Sequence, residues 1–154
     1  MSQFAFDFGD GRGLVAAHRH VNLDQSEGGW VAETARVSDE ARVSDEAQVS
    51  GEAQVSGWAQ VFGEAQVKQT VDVLSIGPIG SRAATLTVVF NSKAIWCFAG
   101  CWSGTLAQFV LAVKKVHEDN QYAYEYAEAI KFIKAMAKLR TPKAADLGKA
   151  ESTP

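Results

Sequence analysis

Cysteine is nearly absent from this chain. Cys97 and Cys101 are its only two, too few for a disulfide framework, and a cytoplasmic, reduced setting is the simplest reading. No apolar run is long enough to span a bilayer, so no membrane association is expected. The N-terminus lacks a basic stretch followed by an apolar segment and a small-residue cleavage site, so no secretory signal is read. Histidine is as scarce: His18, His20 and His117 are all there are. None is spaced with Cys97 and Cys101 as zinc ligands are, and no metal or cofactor is expected. Basic charge is thin in the first 80 residues, which hold 12 acids against 5 bases, whereas residues 81–154 hold 6 acids against 10 bases. Direct nucleic-acid binding by the first half is therefore not expected, while the second half can meet an anion. A solvated basic helix face is the plainer reading of that excess.

What is present is a repeat. Valine recurs every six residues at Val31, Val37, Val43, Val49, Val55, Val61, Val67 and Val73, with alanine two places before it from Ala35 to Ala65. A period of six fits neither an amphipathic helix nor a hairpin, and points to short strands stacked about 4.8 Å apart with their valines in a ladder. Such units bury a face only against stacked neighbours. The hexads run VAETAR, VSDEAR, VSDEAQ, VSGEAQ, VSGWAQ, VFGEAQ, VKQTVD. They resemble the hexapeptide repeat of left-handed parallel β-helices, where the aliphatic residue points into a triangular prism and three hexads complete a coil. The resemblance implies about two coils over residues 30–73, with Val31, Val37, Val43, Val49, Val55, Val61 and Val67 as the solenoid core. It also implies a homotrimer.

Around the repeat the chain reads as mainly β with an α+β C-terminal part. Phe4 to Phe8 and Leu14 to His20 alternate as strands about a glycine-rich turn, a hairpin over residues 1–29 expected to cap the solenoid. Residues 22–29 read as a polar loop. Residues 74–140 form the second module: a strand from Val73 to Ile76 ending at the turn 77–82, a strand from Ala84 to Phe90, a tight turn at Asn91-Ser92, and a strand from Lys93 to Phe98. These are followed by a helix capped by Thr105 and Gln108 and burying Leu106, Phe109, Val110 and Val113. A second helix, capped at Asn120, turns Tyr122, Tyr126, Ile130, Ile133 and Ala137 inward and stops before Pro142. Residues 141–154 read as a disordered tail.

The Gly77-to-Arg82 turn is the leading candidate site. Glycines permit close backbone approach, Ser81 offers a hydroxyl, and Arg82 offers a forked cation suited to phosphate or carboxylate. Trp102 or Trp96 can stack on a base or sugar, and Gly104-Thr105 opens a helix whose free amides favour anions. The proposed ligand set is Ser81, Arg82, Trp102 and Thr105, with His117 nearby. A plain strand-connecting turn whose arginine pairs with an acid competes with it. The glycines of residues 9–13 lack phosphate-loop spacing and a lysine.

The second half also resembles a small domain of uncharacterised bacterial and bacteriophage proteins that follows hexapeptide repeats there too. The residues carrying this are Ile79-Gly80-Ser81-Arg82, the run from Gly100 to Leu106, Phe109, His117 and Tyr126. It implies no particular activity but a phage or mobile-element setting, where small non-enzymatic oligomers bind host factors or sequester nucleotide signals; the leading expectation is a phage-type, non-enzymatic oligomer in host cytoplasm that captures an anionic ligand or nucleotide signal to counter host defence. Three alternatives stand beside it. One is an inhibitor of a host defence protein acting through the acidic solenoid with Trp58 and Phe62. Another is a structural assembly protein. The last is a coenzyme A-dependent acyltransferase, as some hexapeptide proteins are, with a histidine such as His20 as base; but the repeat has no histidine of its own.

Overall fold

The computed structural model describes residues 4–90, 94–100 and 102–140. The tight turn at Asn91-Ser92, the start of the strand at Lys93, Cys101 and the tail 141–154 lie outside the described residues. The chain divides into two compact units between Val73 and Leu74.

In the first unit β1 (Phe4–Asp7), β2 (Leu14–Val21) and β3 (Glu27–Ala32) run antiparallel in sequence. Six two-residue strands follow, from β4 (Arg36–Val37) through β5 (Arg42–Val43), β6 (Gln48–Val49), β7 (Gln54–Val55) and β8 (Gln60–Val61) to β9 (Gln66–Val67). β3, β4, β5 and β6 each pair in parallel with the strand eighteen residues on. Val31 stands beside Val49 and Val49 beside Val67, Val37 beside Val55, and Val43 beside Val61. The chain thus advances one rung for every three hexads, and three separate sheets carry the rungs.

The reason lies in each hexad. Position one is valine, fully buried at every rung except Val37, and the alanine at position five is buried from Ala41 to Ala65. Position three takes the left-handed conformation at each bend, with φ of 58° at Asp39, 61° at Asp45 and 62–68° at Gly51, Gly57 and Gly63. Glycine and aspartate are among the residues that tolerate it. Each bend closes with a short hydrogen bond such as Ala41 N–H to the Ser38 carbonyl, 3.2 Å.

β2 and β3 continue one of the three sheets edge to edge, in the order β1-β2-β3-β6-β9. The expected loop 22–29 is shorter, because β3 starts at Glu27. Gly28 and Gly29 belong to the strand since nothing larger fits: a β-carbon would come 1.7 Å from the Val43 carbonyl oxygen and 1.9 Å from that of Ala47. A second sheet edge is closed by a side chain. Buried Asn22 receives the Val43 N–H (3.0 Å) and donates to the Val43 carbonyl (3.1 Å), standing in for a missing strand above β5.

The second unit is a four-stranded sheet in the order β10-β11-β12-β13. Its strands are β10 (Val73–Ile79), β11 (Ala84–Phe90), β12 (Ile95–Ala99) and β13 (Trp102–Thr105), and its helices α1 (Leu106–His117) and α2 (Gln121–Arg140). β10 runs on through Gly77 and Pro78, joined by a cis peptide, beyond the stop expected at Ile76. β13 is a strand where only a helix cap was expected. Leu86, Val88, Phe90 and Cys97 face Phe109, Val113, Ala129, Ile133 and Ala137 of the helices in one apolar core. Asn120 caps α2, its Oδ1 accepting from the N–H groups of Tyr122 and Ala123.

Candidate functional site

One pocket of about 310 Å³ lies wholly within the second unit, where β11, β12 and β13 meet the two helices. It gathers Ser81, Arg82, Trp102 and His117, four of the five residues singled out from sequence. Its walls are apolar and aromatic: Ala84, Ala99, Phe109, Val113 and Tyr126 among them. Trp102 stands opposite Ala99 across β12 and β13, so both side chains leave the same face of the sheet. Gly104 makes room for the indole, since a β-carbon there would meet the ring at 2.8 Å.

The aromatic wall is continuous. Trp102 and Phe109 lie 5.4 Å apart, Phe109 meets Tyr126 edge to face at 5.4 Å, and His117 stacks on Tyr126 at 5.8 Å. Such a wall is a platform for a planar ring. Phe109 and Tyr126 read as core residues from helical spacing, which cannot distinguish a buried face from a pocket wall. The available signal was His117 close ahead of Tyr122 and Tyr126, both of which touch its ring.

The loop bearing Ser81 and Arg82 is held from behind. Gly80 N–H donates to the Glu125 carboxylate at 3.0 Å, and Ala83 N–H closes the turn on the Gly80 carbonyl at 3.1 Å. With φ of +81°, and a β-carbon position only 2.1 Å from the Tyr126 hydroxyl, residue 80 must be glycine. Glu125 is held below the usual carboxylate range by the Gly80 N–H and then the Gln121 amide. Burial, with the Glu125 charge, pushes the Tyr126 phenol up, so it stays neutral and able to donate. Arg82 is exposed, and among the described residues it has no acid partner.

Thr105 is the member that does not join. It is not part of the pocket lining, and its hydroxyl accepts the Gln108 N–H at 3.3 Å while the Gln108 side chain receives the Thr105 N–H at 2.9 Å. The cap thus engages the Thr105 and Gln108 N–H groups within the helix start itself. Trp96 is also outside the lining, in register with Val89 on the strand position next to Cys97. Burial pushes the Cys97 thiol up to about 12.

The histidines of the first unit lie elsewhere. His18 Nδ1 meets the Glu33 carboxylate at 2.6 Å. Burial, then the neighbouring His18, lowers the affinity of His20 for a proton. Among the described residues no three His, Cys, Asp or Glu side chains cluster as metal ligands would, and no helix is long and apolar enough to cross a membrane. Comparison with protein-family models, with curated proteins and with solved structures finds no match to this chain.

Proposed function

We propose that the chain is a non-enzymatic, self-associating binding protein of the hexapeptide-repeat kind, of phage type. Residues 30–73 make a short left-handed parallel β-helix that organises a homotrimer, and the second unit captures a compact anionic ligand of nucleotide type. The eighteen-residue register supports the first half of the reading. One observation carries the second: an arginine without an acid partner among the described residues stands at an aromatic-walled pocket.

The chemistry is a division of labour. Trp102 and its aromatic neighbours take a flat base by burial and stacking, while Arg82 and Ser81 meet a phosphate at the exposed end. At about 310 Å³ the pocket is near the floor of the ~300–1,000 Å³ range of ligand sites, which favours a mononucleotide unit over a dinucleotide. A charge-assisted bond of this kind contributes about 1.5–3 kcal/mol. Arg82→Ala should therefore weaken binding by roughly ten- to a hundredfold.

The test is calorimetry and thermal shift against adenosine and guanosine monophosphates and cyclic dinucleotides, together with native mass of the purified protein. Saturable binding lost in both Arg82→Ala and Trp102→Ala, on a trimer, is the expected result. Binding that survives Arg82→Ala, or no response to any member of the panel, defeats the nucleotide reading. A monomer defeats the assembly reading.

A further inference from the structure

The repeat breaks its own pattern on one side of the first unit. Position four of the hexad is glutamate at Glu40, Glu46, Glu52 and Glu64 but tryptophan at Trp58. Position two is serine from Ser38 to Ser56 and then phenylalanine at Phe62. The eighteen-residue register places Gln60 beside Arg42, and the same step brings Trp58 to Glu40. With Leu23 and Asp24 these residues line a pocket of about 290 Å³. The Arg42 guanidinium lies 5.6 Å over the Phe62 ring and 3.0 Å from the Asp24 carboxylate. Both departures from the repeat thus stand around one arginine.

The charges limit what can enter. Two carboxylates against one guanidinium leave the site negative on a negative surface, which disfavours anions. A cation finds its place taken. One Asp24 oxygen already receives the Ser26 N–H and hydroxyl at 2.9 and 2.6 Å, and the other receives Arg42. What is left is an indole 66% exposed, the remaining N–H groups of a positioned guanidinium, and the Glu40 carboxylate, which has no polar partner among the described residues. A flat apolar platform beside planar groups with paired donors and paired acceptors suits a ring that is apolar on its face and hydroxylated at its rim.

We infer that this pocket binds one ring of a neutral saccharide, stacked on Trp58 and hydrogen-bonded through Arg42 and Glu40. The site is separate from the aromatic pocket of the second unit and does not depend on its ligand.

Glucose, galactose, mannose and N-acetylglucosamine should be titrated singly into the full chain, read by tryptophan fluorescence and saturation-transfer NMR. Glucuronate and argininamide serve as the charged comparisons. Trp58→Glu restores the residue of the repeat, and Glu46 and Glu64 already stand in the same relation eighteen residues apart, so the coil should keep its melting temperature. Saturable binding of at least one neutral sugar, with Kd of about a millimolar and roughly tenfold weaker in Trp58→Glu, is expected. The inference is overturned by the absence of saturation for all four sugars, by equal binding in Trp58→Glu, or by tighter binding of either charged compound.

Discussion

Replacing Asn22 by alanine tests whether the edge of the β5–β8 sheet is closed by a side chain. The carboxamide is buried and makes both hydrogen bonds to Val43 that a neighbouring strand would make. Alanine leaves the Val43 N–H and carbonyl without partners at the end of a stack. Each orphaned group costs about 1–3 kcal/mol, toward the low end where water can enter, giving a total of about 2–4 kcal/mol. For a unit of this size each kcal/mol moves the melting temperature by roughly 4–8 °C, so a fall of about 8–30 °C is expected by circular dichroism or calorimetry. Asn22→Asp sharpens the argument. Its carboxylate can still accept from Val43 N–H but sets a second oxygen against the Val43 carbonyl, raising its folded pKa above the unfolded value of about 3.9. The protonated acid can donate, so its stabilising contribution is complete below the unfolded value and lost as pH rises through the folded one. The gap between Asn22→Asp and the unsubstituted chain should therefore narrow as pH falls from 7 toward 4. A pH-independent gap, or an alanine variant that melts within about 2 °C of the parent, would refute the strand-substitute account.

Asp39→Ala should cost about 1–2 kcal/mol in denaturant unfolding, because it removes the acceptor for Gly57 N–H (3.1 Å) and keeps a β-carbon at φ 58°. Asp39→Gly loses the same acceptor but relieves the backbone, and should cost less than half as much. Equal losses would mean the bend is unstrained. Cys97, buried and titrating at about 12, should resist iodoacetamide at pH 8 in the folded protein and react fully in denaturant, as followed by mass spectrometry of its peptide. Rapid native labelling would place it outside the core.

The inward residues of the stack were legible because their spacing is a property of the chain alone: a period of six in sequence becomes eighteen in space. Val37 shows the boundary of that logic. It obeys the spacing yet is only half-buried, and the hexad that holds it does not distinguish it from the buried valines of the other rungs. Gly28 and Gly29 misled in the other direction, since glycine signals a loop locally and a close approach globally. Asn22 had no local signature at all; its partner is 21 residues away. In the second unit Ser81, Arg82, Trp102 and His117 were found together, because exposed polar and aromatic residues beside a glycine turn are chemically conspicuous. Thr105 was placed with them through its position at a helix start, although the same capping geometry that identified it engages its hydroxyl.

Stacking links two of the aspartates at position three of the hexad to two of the glycines that follow. Asp39 and Asp45 sit at bends of the earlier rungs, and Gly57 and Gly63 stand eighteen residues on, at the paired later rungs. Each aspartate side chain accepts the backbone N–H of the glycine beside it, Asp39 from Gly57 at 3.1 Å and Asp45 from Gly63 at 3.4 Å. The earlier rungs supply acceptors and the later rungs supply unobstructed donors, so the two glycines are suited to follow an aspartate rung. After them the chain stops repeating: Thr70–Asp72 forms a short 3-10 turn, and the Asp72 carboxylate accepts the N–H groups of Lys68 and Gln69 at 2.9 and 3.0 Å. Thr70 accepts Gln54 N–H at 2.9 Å, filling the place of a next rung on that side. A side chain therefore satisfies strand amides at each end, Asn22 before the stack and Thr70 after it. By this logic the length of the stack follows from where such residues interrupt the hexads, and the valine ladder by itself sets no limit on it.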